Sequence, residues 1–265
     1  MSQTSRRDSA RPVAPYIGGK RILAKTVIAR IEAIPHELYG EAFVGMGGVF
    51  LRRRQPAKLE VINDLSRDVA TLFRVLQRHY LAFVEMLRWQ LTTRSDFDRL
   101  LATDPGTMTD LERAARFVYL QRTAFGGKVE GRNFGITRTV AARFDVTKIV
   151  PLLEAAHERL AGVVIESLPY ARFLEQYDRK GALFYLDPPY LHCERDYGDG
   201  VFERADFERI AALLASLKAQ FILSINDRPE MRRIFKAFRI EPVKVTYRIA
   251  GGAVTPAREL IITRR

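Results

Sequence analysis

Apolar positions along this chain follow two spacings. Short apolar runs occur at 163–165, 183–186 and 221–223, and at 59–62 with only Glu60 interrupting, and between them apolar residues recur every three or four positions. The first pattern is that of buried strands, the second that of helices with one face on a core. Ile22, Leu23, Val27, Ile28 and Ile31 outline the first helix, and residues 41–44 read as a strand that enters a glycine loop and a short helix ending in Arg52-Arg53-Arg54. From 147 onward the order is helix (147–160), strand (163–166), helix (170–177), strand (182–186), helix (205–218), strand (221–224), helix (228–235) and two apolar strands near 238–247 and 258–263. Strands alternating with helices predict an α/β fold on a mostly parallel sheet.

The alternation breaks between 66 and 146. That stretch reads as helices around 68–78, 80–91 and 110–121, then the glycine-rich run from Phe125 to Gly135, and predicts a domain inserted into a core made of 15–65 and 147–265. Residues 1–14, with Ser, Arg and Pro and little apolar content, predict a flexible N-terminal arm. Residues 191–202 are polar with Gly198 and Gly200, a loop long enough to order over a substrate.

Charge narrows the partners. The net charge is +12, and such a surplus draws a protein to polyanions, nucleic acid first, through counterion release. An amount equal to half of it lies in 31 residues late in the insert: from 113 to 143, Arg113, Arg116, Arg122, Lys128, Arg132, Arg138 and Arg143 face Glu130 alone. Interleaved with Tyr119, Phe125, Phe134 and glycines, they suit a hairpin that enters a groove; the plainer alternative is a solvated face. A lone cysteine, Cys193, and four scattered histidines provide neither a disulfide framework nor a zinc set, so no metal is expected. No apolar run reaches a membrane-spanning length and the start of the chain is basic and polar, so a cytoplasmic location is expected.

The candidate chemistry lies at strand ends. Asp187 closes the run 183–186 and is followed by Pro188, Pro189 and Tyr190; prolines give no N–H to a ladder, so the strand stops with the acid at its carboxyl end, where open α/β sheets bind ligands. Gly45-Met46-Gly47-Gly48 follows an earlier strand and lets a cofactor lie against the backbone. Asp64 ends the next strand 19 residues beyond Gly45, about where nucleotide-binding sheets hold ribose hydroxyls, which implies a cofactor carrying adenosine; the alternative is a cap on the helix that follows. Gly18-Gly19-Lys20 offers close backbone approach and a positive charge, and Ser224-Ile225-Asn226-Asp227 reads as pocket wall or as a plain turn.

In this order, Gly18-Gly19-Lys20, Glu41-x-Phe43-x-Gly45-x-Gly47, Ile62-Asn63-Asp64-Leu65 and Asp187-Pro188-Pro189-Tyr190 resemble the Dam-type (D12 class) family of adenine-N6 DNA methyltransferases, its phage and prophage members in particular, over roughly residues 15–262. The resemblance implies a Rossmann-like methyltransferase sheet, a target-recognition domain at 66–146, S-adenosylmethionine as cofactor and double-stranded DNA as partner, with no metal and no membrane. It names no partner restriction nuclease. Tyr16, Gly19, Lys20, Phe43, Gly45 and Gly47 would lie near the methionine part of the cofactor, Asp64 on its ribose, and Asp187 between cofactor and target. Tyr170 would stack on the cofactor adenine, although Pro169 stands where many members have an acid. Arg116, Arg122, Lys128, Arg132, Asn133 and Arg138 would contact DNA, with Gln121 where the family commonly has Asn.

Adenine N6 is a poor nucleophile because its lone pair is delocalised into the ring. Acceptors aimed at its two N–H bonds, the Asp187 carboxylate and the Pro188 carbonyl, would localise that pair, and Tyr190 would stack on a base flipped out of the duplex. Two other readings stay open. A methyltransferase of guanine-N2 in RNA shares the pocket but has no need of the basic insert, and a DNA-binding protein with a dead pocket would have no need of Gly45, Gly47, Asp64 and Asp187.

Overall fold

In the computed structural model, residues 10–20, 22–135, 143–193, 202–248 and 254–265 are described; Arg138 and residues 194–201 of the expected loop lie outside them. Seven strands make one sheet: β1 (Leu38–Glu41), β2 (Leu59–Asn63), β3 (Val164–Glu166), β4 (Ala182–Leu186), β5 (Gln220–Asn226), β6 (Arg239–Arg248) and β7 (Val254–Thr263). Their order is β3-β2-β1-β4-β5-β7-β6. The first five run parallel, and β7 is antiparallel to both β5 and β6. This is a Rossmann-like, doubly wound arrangement. From β1 the chain proceeds outward to β2 and β3, and later returns to β4 on the other side of β1, so the topological switch point lies between the carboxyl ends of β1 and β4.

β4 is buried along its whole length, as its unbroken apolar run predicts. β1 departs from expectation: it runs Leu38–Glu41, and residues 42–44 already belong to the turn. Gly40 is the reason the strand is hard to see, because a Cβ there would come within 2.7 Å of the Phe184 ring on β4. Close approach of neighbouring strands thus replaced an apolar residue by glycine. Asn63, the last residue of β2, then ties in two loops at the sheet edge: its Nδ2 donates to Ala42 O (2.9 Å) and Leu168 O (3.0 Å), and its Oδ1 accepts the Leu168 N–H (2.8 Å).

The helices are α1 (Ala24–Ala33), α2 (Arg67–Arg78), α3 (Tyr80–Arg88), α4 (Arg94–Ala102), α5 (Asp110–Thr123), α6 (Val146–Arg159), α7 (Tyr170–Tyr177), α8 (Arg204–Ser216) and α9 (Pro229–Ile234). Four of them, α2 to α5, form the insert. α4 goes beyond the sequence expectation: Thr93 caps it by accepting the Asp96 N–H at 3.0 Å, but it buries only Phe97 and Leu100. α5 opens on a capping box between Thr109 and Glu112.

The insert has no separate core. Leu72, Phe73, Phe83, Phe97 and Phe117 belong to the same apolar cluster as Val27, Ile31, Tyr39 and Tyr185 on one face of the sheet. Phe173, Phe184, Leu186, Phe207, Ile210 and Leu223 fill the opposite face. Behind β2, Glu60 is buried between two arginines, accepting from Arg53 Nη1 (2.7 Å) and from Arg159 Nη1 and Nη2 (2.6 and 2.8 Å). The guanidinium groups of Arg53 and Arg159 lie 3.7 and 3.9 Å from the ring centres of Tyr39 and Phe50. Part of the expected loose arm is also packed: Ala10, Val13 and Ala14 are buried, and the Ala10 N–H donates to Leu51 O at 3.0 Å. These small apolar residues, among prolines and arginines, carry no periodic signal.

Candidate active site

Asp187 follows the last residue of β4, and its carboxylate is held from two directions. Oδ1 lies 2.7 Å from Lys20 Nζ and accepts the Ser224 hydroxyl at 2.9 Å. Lys20 Nζ also donates to Gly18 O at 3.2 Å and sits 4.3 Å from the centre of the Tyr190 ring. The Gly-Gly-Lys turn and the Asp-Pro-Pro-Tyr turn, remote in sequence, therefore share one site. Burial pushes the Asp187 carboxyl up to about 6, while the Lys20 cation works in the opposite direction.

A cleft of about 1060 Å³ opens at the switch point. Tyr16, Gly19, Lys20, Phe43, Gly45, Asp64 and Asp187, all named from sequence, line it together with Pro189. The other two expected cofactor residues stand just behind. Gly47 has φ +73°, and a Cβ there would fall 2.8 Å from Leu51 Cγ. Tyr170 backs Phe43, ring centres 5.5 Å apart, and its hydroxyl donates to Asp206 Oδ1 at 2.7 Å. Of the catalytic set, Pro188 and Pro189 are buried and Tyr190 is half-buried beside Lys20.

Asp64 serves as both cleft wall and helix entry. Its Oδ2 accepts the Gly45 N–H at 2.8 Å, and its Oδ1 accepts the Ser66 N–H, just ahead of α2, at 2.9 Å. The first bond pins the glycine loop, where Gly45 has φ +50°. Burial raises this carboxyl to about 6 against the pull of those two N–H groups.

Sequence reasoning missed Glu41 as a site residue. It is 2 % exposed, lines the cleft and accepts the Tyr39 hydroxyl at 2.7 Å. Burial lifts it to about 8, with Tyr39 and Arg53 drawing it back. An acid written directly into an otherwise buried strand was the available signal.

The basic residues of the insert divide into two kinds. Arg116 is corrected: it is buried, its Nε donates to Leu100 O at 2.6 Å and its Nη2 to Leu101 O at 3.4 Å, so it braces the end of α4 rather than facing outward. Arg122, at the cleft edge, donates to Val13 O at 2.7 Å and Arg143 O at 3.2 Å. Arg132 grips Gln121 Oε1 through Nε (3.1 Å) and Nη2 (2.8 Å). Lys128 and Asn133 are exposed, within a loop closed by an antiparallel bridge between Ala124 and Phe134.

A family model of the D12 class N6 adenine-specific DNA methyltransferases matches residues 16–249. The chain is 27% identical over 281 residues to the type II methyltransferase M1.LlaDCHI of Lactococcus lactis subsp. cremoris, spanning 96% of this chain and 95% of that protein. It is 21% identical over 233 residues to the type II methyltransferase M.CviBI of Paramecium bursaria Chlorella virus NC1A, covering 86% and 87% of the two chains. Against the DNA N-6-adenine-methyltransferase of Escherichia phage P1 the identity is 24% over 77% of this chain and 28% of that one. With the match running from Tyr16 in the cleft through the whole parallel part of the sheet, the chain belongs to the D12 class of N6 adenine-specific DNA methyltransferases.

Proposed function

We propose that the chain transfers the methyl group of S-adenosylmethionine to N6 of an adenine flipped out of double-stranded DNA, with Asp187, Pro188 and Tyr190 acting on the base. The observation that carries this reading is the convergence, on one cleft at the switch point, of the Gly45 turn, Asp64, Lys20 and Asp187.

The cleft suits that donor by its own chemistry. The glycine turn exposes backbone to a ligand, Asp64 and Glu41 offer carboxyl acceptors for hydroxyl and ammonium groups, and Phe43 and Tyr16 supply apolar walls. When bound, S-adenosylmethionine supplies a methyl group made electrophilic by the sulfonium charge. Tyr16, Gly19, Lys20, Phe43, Gly45 and Asp64 would hold it, with Gly47 and Tyr170 shaping the wall from behind.

The chain's own residues do the rest. Asp187 accepts one N6–H and the Pro188 carbonyl the other, which localises the nitrogen lone pair and stabilises the positive charge that develops there. The proline rings fix φ at both positions after the acid, so these acceptors are preorganised. Tyr190 stacks on the extruded base and offsets part of its lost stacking. Because the proton leaves after the N–C bond forms, Asp187 need not be a strong base. Lys128, Asn133, Arg132 and Arg122 supply phosphate and base contacts from the insert and the cleft edge, Arg138 being assigned with them from sequence alone.

The test is to incubate the purified protein with tritiated S-adenosylmethionine and unmethylated duplex DNA, digest to nucleosides and identify the labelled product. Label in N6-methyldeoxyadenosine, lost in Asp187→Ala protein that still binds the cofactor, is the expected result. Label on RNA alone, or only a few-fold loss in the variant, overturns the reading.

A further inference from the structure

Two acids line the cleft, and they are fixed in different ways. Asp64 accepts the N–H of the residue two places on, Ser66, which is the ordinary way a carboxylate at a turn is held. Asp187 has no such recourse. The next two residues are Pro188 and Pro189, and neither has an N–H to give. The double proline that ends β4 so sharply thus deprives its own acid of local support.

The missing support comes from the neighbouring strand. The register that sets Leu186 opposite Leu223 brings Asp187 alongside Ser224 on β5. Ser224 is fully buried between Leu223 and Ile225 in the apolar middle of β5, and a hydroxyl in such a place is costly unless bonded. Its one proton goes to Asp187 Oδ1 at 2.9 Å. The bond to the Tyr185 hydroxyl, 2.8 Å away, must therefore run the other way, with Tyr185 donating to Ser224. Tyr185 is itself buried and lies on the same sheet face, so the result is a directed chain from Tyr185 through Ser224 to Asp187.

We propose that Ser224, held in turn by Tyr185, is a positioning residue that fixes the rotamer of Asp187, anchoring Oδ1 to the sheet so that Oδ2 is presented to the amino group of the target base. This rests on the reading of Asp187 as the acceptor of N6–H. Both described bonds to the carboxylate fall on Oδ1, one from Lys20 on the cleft side and one from Ser224 on the sheet side. Among the described residues, the charged and titratable groups that act on Asp187 are Lys20 from the N-terminal turn, Glu41 on β1, Tyr185 on β4 and Glu259 on β7. Of the two donors, Ser224 is the one built into the rigid sheet.

Ser224→Ala, Tyr185→Phe, the double variant and Asp187→Ala would be compared in single-turnover methylation of duplex DNA across pH, with S-adenosylmethionine affinity measured by calorimetry. Loss of a hydrogen bond to a charged acceptor in Ser224→Ala is expected to slow methyl transfer by about tenfold or more at unchanged cofactor affinity. The acid limb of the rate should move to higher pH, because the lost donor favoured the ionised carboxylate. Tyr185→Phe should move rate and limb the same way by less, and add nothing once Ser224 is gone. A wild-type rate and acid limb in Ser224→Ala overturns the proposal. Should that variant lose cofactor binding, Tyr185→Phe decides, and its matching wild type overturns the proposal equally. Turnover retained by Asp187→Ala would sink the underlying reading, whereas an inactive Asp187→Ala beside normal Ser224→Ala and Tyr185→Phe removes only the positioning role.

Discussion

Lys20 Nζ lies 2.7 Å from Asp187 Oδ1 and 4.3 Å from the centre of the Tyr190 ring, so a primary amine stands between the carboxylate and the aromatic face assigned to the target base. The contact has a pH signature. Burial raises the Asp187 carboxyl to about 6 and the Lys20 charge restrains that rise. The ionised form is the acceptor, so methyl transfer should fall as pH drops through about 6. Removing the cation in Lys20→Met should push the carboxyl higher still and shift the acid limb upward by about one pH unit. The measurement is the pH dependence of single-turnover rates in both proteins, and an unmoved limb would show that Lys20 does not govern the charge on Asp187.

Asp64 carries the glycine turn as well as the cleft wall. Replacing it by Asn keeps the shape but loses a charged acceptor for the Gly45 and Ser66 N–H groups, and hydrogen bonds to charged acceptors are the stronger class. Asp64→Asn is expected to weaken S-adenosylmethionine binding by about tenfold to a hundredfold with DNA affinity unchanged. Calorimetry of the cofactor and anisotropy of a labelled duplex separate the two; equal losses in both would point to general unfolding instead.

How far the sequence could be read depends on which physical signal each feature leaves. β4 was legible residue for residue because an unbroken apolar run ends at a double proline, and both signals are local. β1 was misplaced because its decisive residues are a glycine, chosen for the approach of Phe184, and a buried acid, neither of which looks apolar. α4 escaped because two buried residues do not make a stripe. Gly19, Lys20, Gly45, Asp64 and Asp187 were legible from turn and strand-end chemistry, and Tyr16 and Phe43 only through the family resemblance. The ion pair of Lys20 with Asp187 was not, since it exists only once the N-terminal turn folds back over the sheet. Arg116 was misread for the opposite reason, because counting charge treats a buried brace and an exposed arginine alike.

Glu41 gives the fold a pH dependence of its own. In the unfolded chain its carboxyl has the ordinary value, while in the folded protein burial raises it to about 8. Below both values the acid is protonated in either state and costs nothing. As pH rises between them the unfolded chain releases the proton and the folded one keeps it, so stability falls until the folded acid ionises too. Asp187 and Asp64, both raised to about 6, act in the same sense over a lower window. Glu41→Gln removes only the first contribution, so its urea midpoint, relative to wild type, should rise steadily from about pH 5 to about pH 8. A constant difference between the two proteins over that range would place Glu41 in its ionised form throughout.

The two kinds of basic residue in the insert should respond to opposite assays. Lys128 is exposed on the loop closed by Ala124 and Phe134, where a cation is free to neutralise a phosphate. Removing one phosphate contact lowers the slope of log affinity against log salt by about 0.9, so Lys128→Ala should weaken duplex binding, flatten its salt dependence by about that amount and leave the melting temperature alone. Arg116 is buried against the Leu100 and Leu101 carbonyls, where its loss leaves acceptors at the end of α4 unsatisfied. Arg116→Ala is therefore expected to cost about 1–3 kcal/mol of stability while keeping the wild-type salt slope in the fraction that stays folded. Anisotropy titrations of a labelled duplex at several salt concentrations, paired with thermal melts, test both at once. A flattened slope in Arg116→Ala would return that residue to the DNA surface, and an unchanged slope in Lys128→Ala would take this loop away from the phosphates.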